Sequence, residues 1–158
     1  MKGKKTTLSI GTISEGTLRD QDIVEALIDT LSPLRLSAYH RKVVNDACRA
    51  LRAFLEYEGP EGDEEDPQGI LEVNGNLIEA RDALEEAMYD YTPSFTYYGS
   101  LEGDGACFGV WVNHEAIEEA VKDGEVSTEP TRRGYYLEVS DHGNMTLHYN
   151  GREVWSVA

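Results

Sequence analysis

The sequence predicts an α+β protein in which helices of the N-terminal half pack on an antiparallel sheet formed by the C-terminal half. Apolar residues recur with a period near 3.6 before Pro93 and with a period near 2 after it. Asn150-Gly151 separates two alternating segments, which is typical of a two-residue hairpin turn. A chain of 158 residues fits one compact domain. We therefore expect a mainly helical region 1–92 joined directly to a sheet region 93–158.

Three helices are predicted in the N-terminal region. Thr17 and Asp20 have the spacing of a capping box, and Ser37 can cap the second helix. Asn74-Gly75 leaves the start of the third helix uncertain, while Thr92-Pro93 ends it. The predicted helices cover about 18–31, from Ser37 to about Tyr57, and about 76–91, preceded by a basic arm or edge strand (Thr6 to Ile10).

An acidic linker and a β-β-α-β-β-β region complete the prediction. Prolines, glycines and acids fill residues 58–69, so this segment should be solvated. A glycine-rich turn over 101–105 should join the first two strands, and Asn113 should cap a helix over 114–123. The strands are expected around 95–97, 108–112, 135–139, 145–149 and 153–157, in one antiparallel sheet that carries the single helix.

The net charge of −16 is unevenly distributed along the chain. Residues 1–50 contain eight Lys/Arg and six Asp/Glu, whereas residues 51–100 contain two and thirteen. Residues 101–158 contain four and eleven. Such a surface repels nucleic acid and anionic membranes and attracts basic proteins. Direct binding of DNA or RNA is therefore not expected.

The sequence indicates a soluble protein of a reducing cytoplasm. No apolar run approaches the roughly 18 residues that a membrane helix needs. The basic N-terminus is not followed by the apolar segment of a secretory signal. Cys48 and Cys107 share no close spacing, and both lie in apolar patterns. We expect both to be buried free thiols.

Catalytic and metal-binding patterns are weak. The Gly103–Gly105 turn is followed by a strand, whereas a phosphate loop needs a lysine or a helix start behind it. His142 and His148 flank a tight turn, but no further ligand pair has zinc spacing. A Cys107–His114 couple would place the thiol in mid-strand, away from the helix start that activates cysteines. We therefore expect a non-enzymatic protein with no metal and no cofactor.

Acidic residues form the main candidate binding surface. Glu79, Asp82, Glu86 and Asp90 have helical spacing opposite the apolar side of the third helix, with Glu85 adjacent. Like charges at this spacing destabilise a helix by a few tenths of a kcal/mol per pair. A stripe retained at that cost suggests a function. The other candidate acids lie in the linker and the later helix: Asp63, Glu64, Glu65, Asp66, Glu115, Glu118 and Glu119. For the linker acids, simple solvation is the alternative interpretation.

Aromatic residues give a second candidate surface. They concentrate in the sheet region, where alternation sends about half of them inward as core. Tyr98, Trp111 and Tyr136 are the predicted outward residues and could anchor an interface, since Tyr and Trp are enriched among hot spots. Partial burial in the core is the alternative for each of them.

Several short segments carry a resemblance to known proteins. One is Ile13-Ser-Glu-Gly-Thr-Leu-Arg19 with the following Asp22-Ile-Val24. The others are Gly103-Asp-Gly-Ala-Cys-Phe-Gly-Val-Trp111, Asp141-His-Gly-Asn-Met-Thr-Leu147 and Glu153-Val-Trp155. These segments resemble small proteins encoded by bacteriophages, prophages and plasmids. The resemblance is confined to these short segments and implies a mobile-element setting, without an activity. In charge and size the chain is also similar to acidic anti-restriction and anti-CRISPR proteins, although none of their sequence motifs occurs.

The sequence thus supports two functional hypotheses. In the first, the protein is a phage or mobile-element inhibitor whose acidic surface mimics DNA and occupies a basic, nucleic-acid-binding host-defence protein. In the second, it is a structural or assembly module that self-associates, for example as a homodimer, through aromatic residues of the sheet. Neither hypothesis involves a membrane or a cofactor.

Overall fold

Helices occupy the first part of the chain and strands the second, as the change of apolar period predicts. The computed structural model describes residues 6–57 and 67–158. Its helices are α1 (Asp20–Leu31), α2 (Ala38–Glu56), α3 (Pro67–Tyr89) and α4 (His114–Lys122). Its strands are β1 (Gly11–Ser14), β2 (Thr96–Leu101), β3 (Asp104–Val112), β4 (Val126–Ser127), β5 (Tyr135–Val139), β6 (Met145–Tyr149) and β7 (Arg152–Val157). The α+β class is confirmed.

The start of α1 differs from the predicted capping box. Arg19 is the N-cap and makes no side-chain capping bond. Thr17 instead donates its hydroxyl hydrogen to the carboxylate of Asp22 at 2.6 Å, and Arg19 pairs with the same carboxylate at 2.8 Å. The Thr17–Asp20 capping box is therefore wrong, because Asp22 holds the threonine. These two hydrogen bonds lower the pKa of Asp22 below its ordinary value.

Helix α2 begins as predicted. Ser37 accepts a hydrogen bond from the backbone N–H of His40 at 3.1 Å, which satisfies one of the free donors of the first turn. Val44 and Ala47 are buried against the other helices. Cys48, the next residue round the helix, is exposed, so its predicted burial is wrong. Cys107 is buried as predicted.

Helix α3 is longer than predicted. It begins at Pro67, within the segment expected to be a linker, and passes through Asn74-Gly75 without a break. Proline is well tolerated at the first helical position, since its missing N–H would have no partner there. A glycine inside a helix costs about 1 kcal/mol relative to alanine, but Leu77 just after it is 2% exposed. Tertiary packing of the apolar side thus extends the helix beyond the local turn signal.

The strands form two sheets, where a single sheet was predicted. The first has the order β1-β3-β2, and the second has the order β4-β5-β6-β7. β4 pairs with β5 in parallel, and all other pairs are antiparallel. β1 lies at Gly11–Ser14, beyond the predicted edge strand at Thr6 to Ile10.

The contact between β1 and β3 is close at Gly109, where a Cβ would lie 2.3 Å from the carbonyl oxygen of Gly11. The β1–β3 pairing therefore requires glycine at this position.

Two hydrophobic clusters fill the interior of the part of the chain that the structure describes. The larger joins the three long helices to the first sheet, with α1 against β1, α3 against β2, and α2 packed on α1 and α3. The smaller lies between α4 and the second sheet. Ile10 packs against both clusters, and the Trp155 Nε1–H donates to the Ser94 carbonyl oxygen at 2.8 Å. Within the described part of the chain α2 contacts no strand, so it is the outermost layer.

Candidate protein-interaction surface

A row of carboxylates lies on the exposed side of α3. Glu79, Asp82 and Glu86 are exposed, as predicted, opposite the buried Leu84. The longer helix adds Glu72, which is exposed and lies two turns before Glu79. At 1.5 Å per residue, Glu72 to Glu86 spans about 21 Å. We call Glu72, Glu79, Asp82 and Glu86 the α3 acidic row.

The carboxylates of the α3 acidic row form no ion pairs with the described residues. Among residues 6–57 and 67–158, none of its four carboxylates takes part in a salt bridge or a side-chain hydrogen bond. The positive charges of the neighbouring helix are partly occupied within that helix, since Lys42 and Arg49 both pair with Asp46 at 3.3 and 3.2 Å. The row is thus a solvated line of negative charge with its charges available to a partner.

Glu85 does not belong to this free surface, contrary to the prediction. Its carboxylate pairs with Arg81 at 2.8 Å, and Arg81 also pairs with Asp20 at 2.8 Å. Burial alone would lower the pKa of Arg81, but the hydrogen bonds to Asp20 and Glu85 outweigh it and raise that pKa. The guanidinium also lies 5.7 Å from the ring centroid of Phe108. This network ties α1, α3 and β3 together, so Glu85 has a structural partner.

Asp90 is also engaged, although it is exposed. It lies just past the end of α3, and its carboxylate is 3.0 Å from His40 Nε2. The other imidazole nitrogen, His40 Nδ1, is 2.7 Å from the Tyr91 hydroxyl and 2.9 Å from the Ser37 hydroxyl. Asp90 therefore fastens the end of α3 to the start of α2.

The remaining candidate acids do not join the row. Glu115, Glu118 and Glu119 are exposed on α4, whose opposite side buries Ile117 and Ala120. Helices α3 and α4 make no contact in the described structure. The linker acids Asp63, Glu64, Glu65 and Asp66 lie outside the described residues.

Tyr98 is not the outward aromatic residue that was predicted. It is 5% exposed and stacks on Phe108 with ring centroids 6.5 Å apart, beneath the helices. Burial, together with the charge of Glu85, raises the pKa of the Tyr98 hydroxyl.

Trp111 is half-buried and donates its indole N–H to the Gly99 carbonyl oxygen at 2.9 Å. Tyr136 is half-buried on the second sheet and stacks on His148. Trp111 and Tyr136 thus lie on different sheets.

The structure brings together one group of potential metal ligands that the sequence did not suggest. Ligand atoms of Glu15, Asp104 and Cys107 lie within 4.8 Å of one another, in the part of the chain that is described. Only the pairing of β1 with β3 creates this proximity, so sequence spacing gave no signal for it. The carboxylates are exposed and the thiol is buried.

The two histidines that the sequence places around a tight turn are not part of this group. His148 Nε2 is 3.1 Å from the carboxylate of Glu138 on the neighbouring strand, and His142 is exposed.

Comparison of the chain with protein-family models, with curated proteins and with solved structures gives no significant match. The resemblance to proteins of mobile elements therefore stays a prediction. Among residues 6–57 and 67–158, no helix combines the length and the apolar character that crossing a bilayer requires.

Proposed function

We propose that this protein is a non-enzymatic accessory protein of a phage or another mobile element. In the host cytoplasm it binds a basic, nucleic-acid-binding defence protein and inhibits it by competing with nucleic acid. The observation that carries this proposal is the α3 acidic row, whose four exposed carboxylates form no ion pair with any of the described residues. The protein's net charge of −16 adds a long-range field of the same sign.

The proposed mechanism is electrostatic substitution. Carboxylates on a rigid helix take the place of phosphates along a groove lined by Lys and Arg. Along the helix axis, Asp82 and Glu86 are separated by about 6 Å and Glu72 and Glu79 by about 10 Å. Complementary charge speeds association and makes it sensitive to salt, since the Debye length is only about 8 Å at physiological ionic strength.

Charge reversal of the row tests the proposal. The variant E79K/D82K/E86K changes exposed positions only and leaves Asp90 with its structural partner. Wild type and variant are used to capture proteins from a bacterial lysate at low and physiological salt, and captured proteins are identified by mass spectrometry. We expect wild type to retain a basic nucleic-acid-binding protein and to inhibit its DNA or RNA binding. The variant should do neither, because the new lysines would repel a basic groove and weaken binding by several kcal/mol.

A matched control separates position from net charge. The variant E115K/E118K/E119K reverses the same number of exposed acids on α4, which does not contact α3. It should bind the partner with little change. Equal losses in the two variants would show that only overall charge matters, and unchanged inhibition by the α3 variant would rule the proposal out.

The alternative is a module that self-associates through the second sheet. Val139 and Tyr149 are 58% and 46% exposed there, close in sequence to the half-buried Tyr136 and His148. Sedimentation analysis of Tyr136→Ser distinguishes the two functions. If this change destroys assembly or partner binding while the α3 reversal has no effect, self-association replaces competition with nucleic acid.

A further inference from the structure

A groove between α1 and α2 exposes apolar surface on the outer side of the helical layer. Its volume is about 300 Å³. The floor contains aliphatic side chains and one thiol, and the rim contains three carboxylates and one guanidinium. The lining residues are Ile28, Cys48, Leu51 and Leu55 for the floor and Glu25, Asp29, Arg52 and Glu56 for the rim. We call this the α1–α2 groove.

The floor of the groove is only partly used by the fold. Ile28 and Leu51 are half-buried and pack against the main cluster. Leu55 is 64% exposed and lies outside that cluster, and Cys48 is exposed beside it. Cys48 and Leu55 are two helical turns apart, a span of about 10 Å. The described residues therefore leave exposed an apolar strip of the length that a short helix covers.

The rim of the groove favours a basic occupant. Glu25 and Asp29 lie one turn apart on α1, and Glu56 lies at the end of α2. All three are exposed, and none has an ion pair within the described residues. Arg52 is the single cation among the lining residues. Negative charge thus flanks the apolar strip on both of its helices.

We propose that the α1–α2 groove binds an amphipathic helix whose apolar side enters the groove and whose flanks carry Lys or Arg. Such a helix would place aliphatic residues at i, i+3 or i+4, and i+7 on the strip, as in other helix-in-groove complexes. The inference rests on the proposed function, because the helix would belong to the same basic partner protein. The groove would add apolar contact to an association that charge alone would leave sensitive to salt.

Cys48 provides a direct reporter of occupancy. It is the exposed one of the two cysteines and lines the groove, whereas Cys107 is buried. The probe is a fluorescein-labelled 18-residue helical peptide with leucines on one side and lysines on the other. Its control has glutamates in place of the lysines. Binding is measured by fluorescence anisotropy, and alkylation of Cys48 by N-ethylmaleimide is followed by mass spectrometry.

The lysine peptide should bind and slow the alkylation of Cys48 in proportion to its occupancy. Leu55→Ser should weaken binding by about tenfold or more, because Leu55 is the most exposed aliphatic side chain of the groove and the peptide would bury it. The matched change Leu71→Ser should have no effect, since Leu71 is 70% exposed on α3 and is not among the groove residues. Arg52→Ala should strengthen binding, since it removes the repulsive cation at the rim. Thermal unfolding of each variant verifies that the fold is retained.

Four results would overturn this inference. The first is equal binding of the lysine and glutamate peptides, and the second is equal effects of Leu55→Ser and Leu71→Ser. The third is binding that leaves Cys48 fully reactive, which would locate the peptide elsewhere. The fourth is protection of Cys48 that rises with protein concentration in the absence of peptide, which would assign the groove to a second copy of the chain. In E79K/D82K/E86K the peptide should still protect Cys48, so failure of the groove and failure of the α3 acidic row are distinguishable.

Discussion

Glu79, Asp82, Glu86 and Asp90 should not respond equally to charge reversal, because among the described residues Asp90 alone of these four has a side-chain partner. Glu79, Asp82 and Glu86 have no side-chain partner among the described residues, whereas the Asp90 carboxylate lies 3.0 Å from His40 Nε2. Each of the first three reversals should change the free energy of unfolding by no more than about 0.5 kcal/mol, as is usual at exposed positions.

Adding Asp90→Lys to that variant should be destabilising. The change removes the acceptor of the His40 Nε2–H and places a second donor beside it. Loss of one such hydrogen bond corresponds to about 1 kcal/mol. We discount the charge contribution because the Asp90 side chain is 65% exposed. For a domain of this size, 1 kcal/mol corresponds to a fall in Tm of about 3 °C.

Urea unfolding followed by circular dichroism at pH 7 measures these differences. The control is Asp90→Asn, whose side-chain oxygen can still accept from His40 and should retain most of the stability. If the fourfold variant is as stable as the threefold variant, the His40–Asp90 contact contributes nothing to folding. Asp90 would then be as available to a partner as Glu86 is.

Two further predictions concern the glycine at the β1–β3 contact and the pH dependence of stability. Gly109→Ala should lower the free energy of unfolding by about 1–3 kcal/mol in urea, because the added Cβ forces the two strands apart. Gly105→Ala should be nearly neutral, because a Cβ there meets no atom within 4 Å. Equal losses of stability in the two variants would contradict the close approach of β1 and β3. Hydrogen bonds from Thr17 and Arg19 lower the pKa of Asp22 below 3.8, so its contribution to stability is complete above that pH and is lost as the pH falls through the folded-state pKa. The difference in unfolding free energy between wild type and Asp22→Asn should therefore shrink on acidification, and a difference that is constant from pH 7 to pH 2 would argue against this assignment.

Local signals in the sequence determined the type and the order of most elements. Apolar spacing located α1, α2 and the main strands, Ser37 and Asn113 acted as caps, and Asn150-Gly151 formed its turn. These features depend on neighbours along the chain, because a capping bond or a two-residue turn is complete within a few residues. The exposure of Glu79, Asp82 and Glu86 followed from the same periodicity.

Tertiary structure decided what each side chain faces. Asn74-Gly75 is locally a turn signal, yet burial of Leu77 keeps α3 helical and adds Glu72 to its exposed side. Strand alternation allowed Tyr98 either face of the sheet, and packing of the helices on the first sheet buried it. Glu85 pairs with Arg81 one helical turn away, and the distant Asp20 on α1 holds that guanidinium in place. Asp90 resembled its neighbours until His40, distant in the sequence, was placed beside it. The α1–α2 groove has the same origin: it depends on how closely two helices approach, and that distance is set by contacts that no single segment contains.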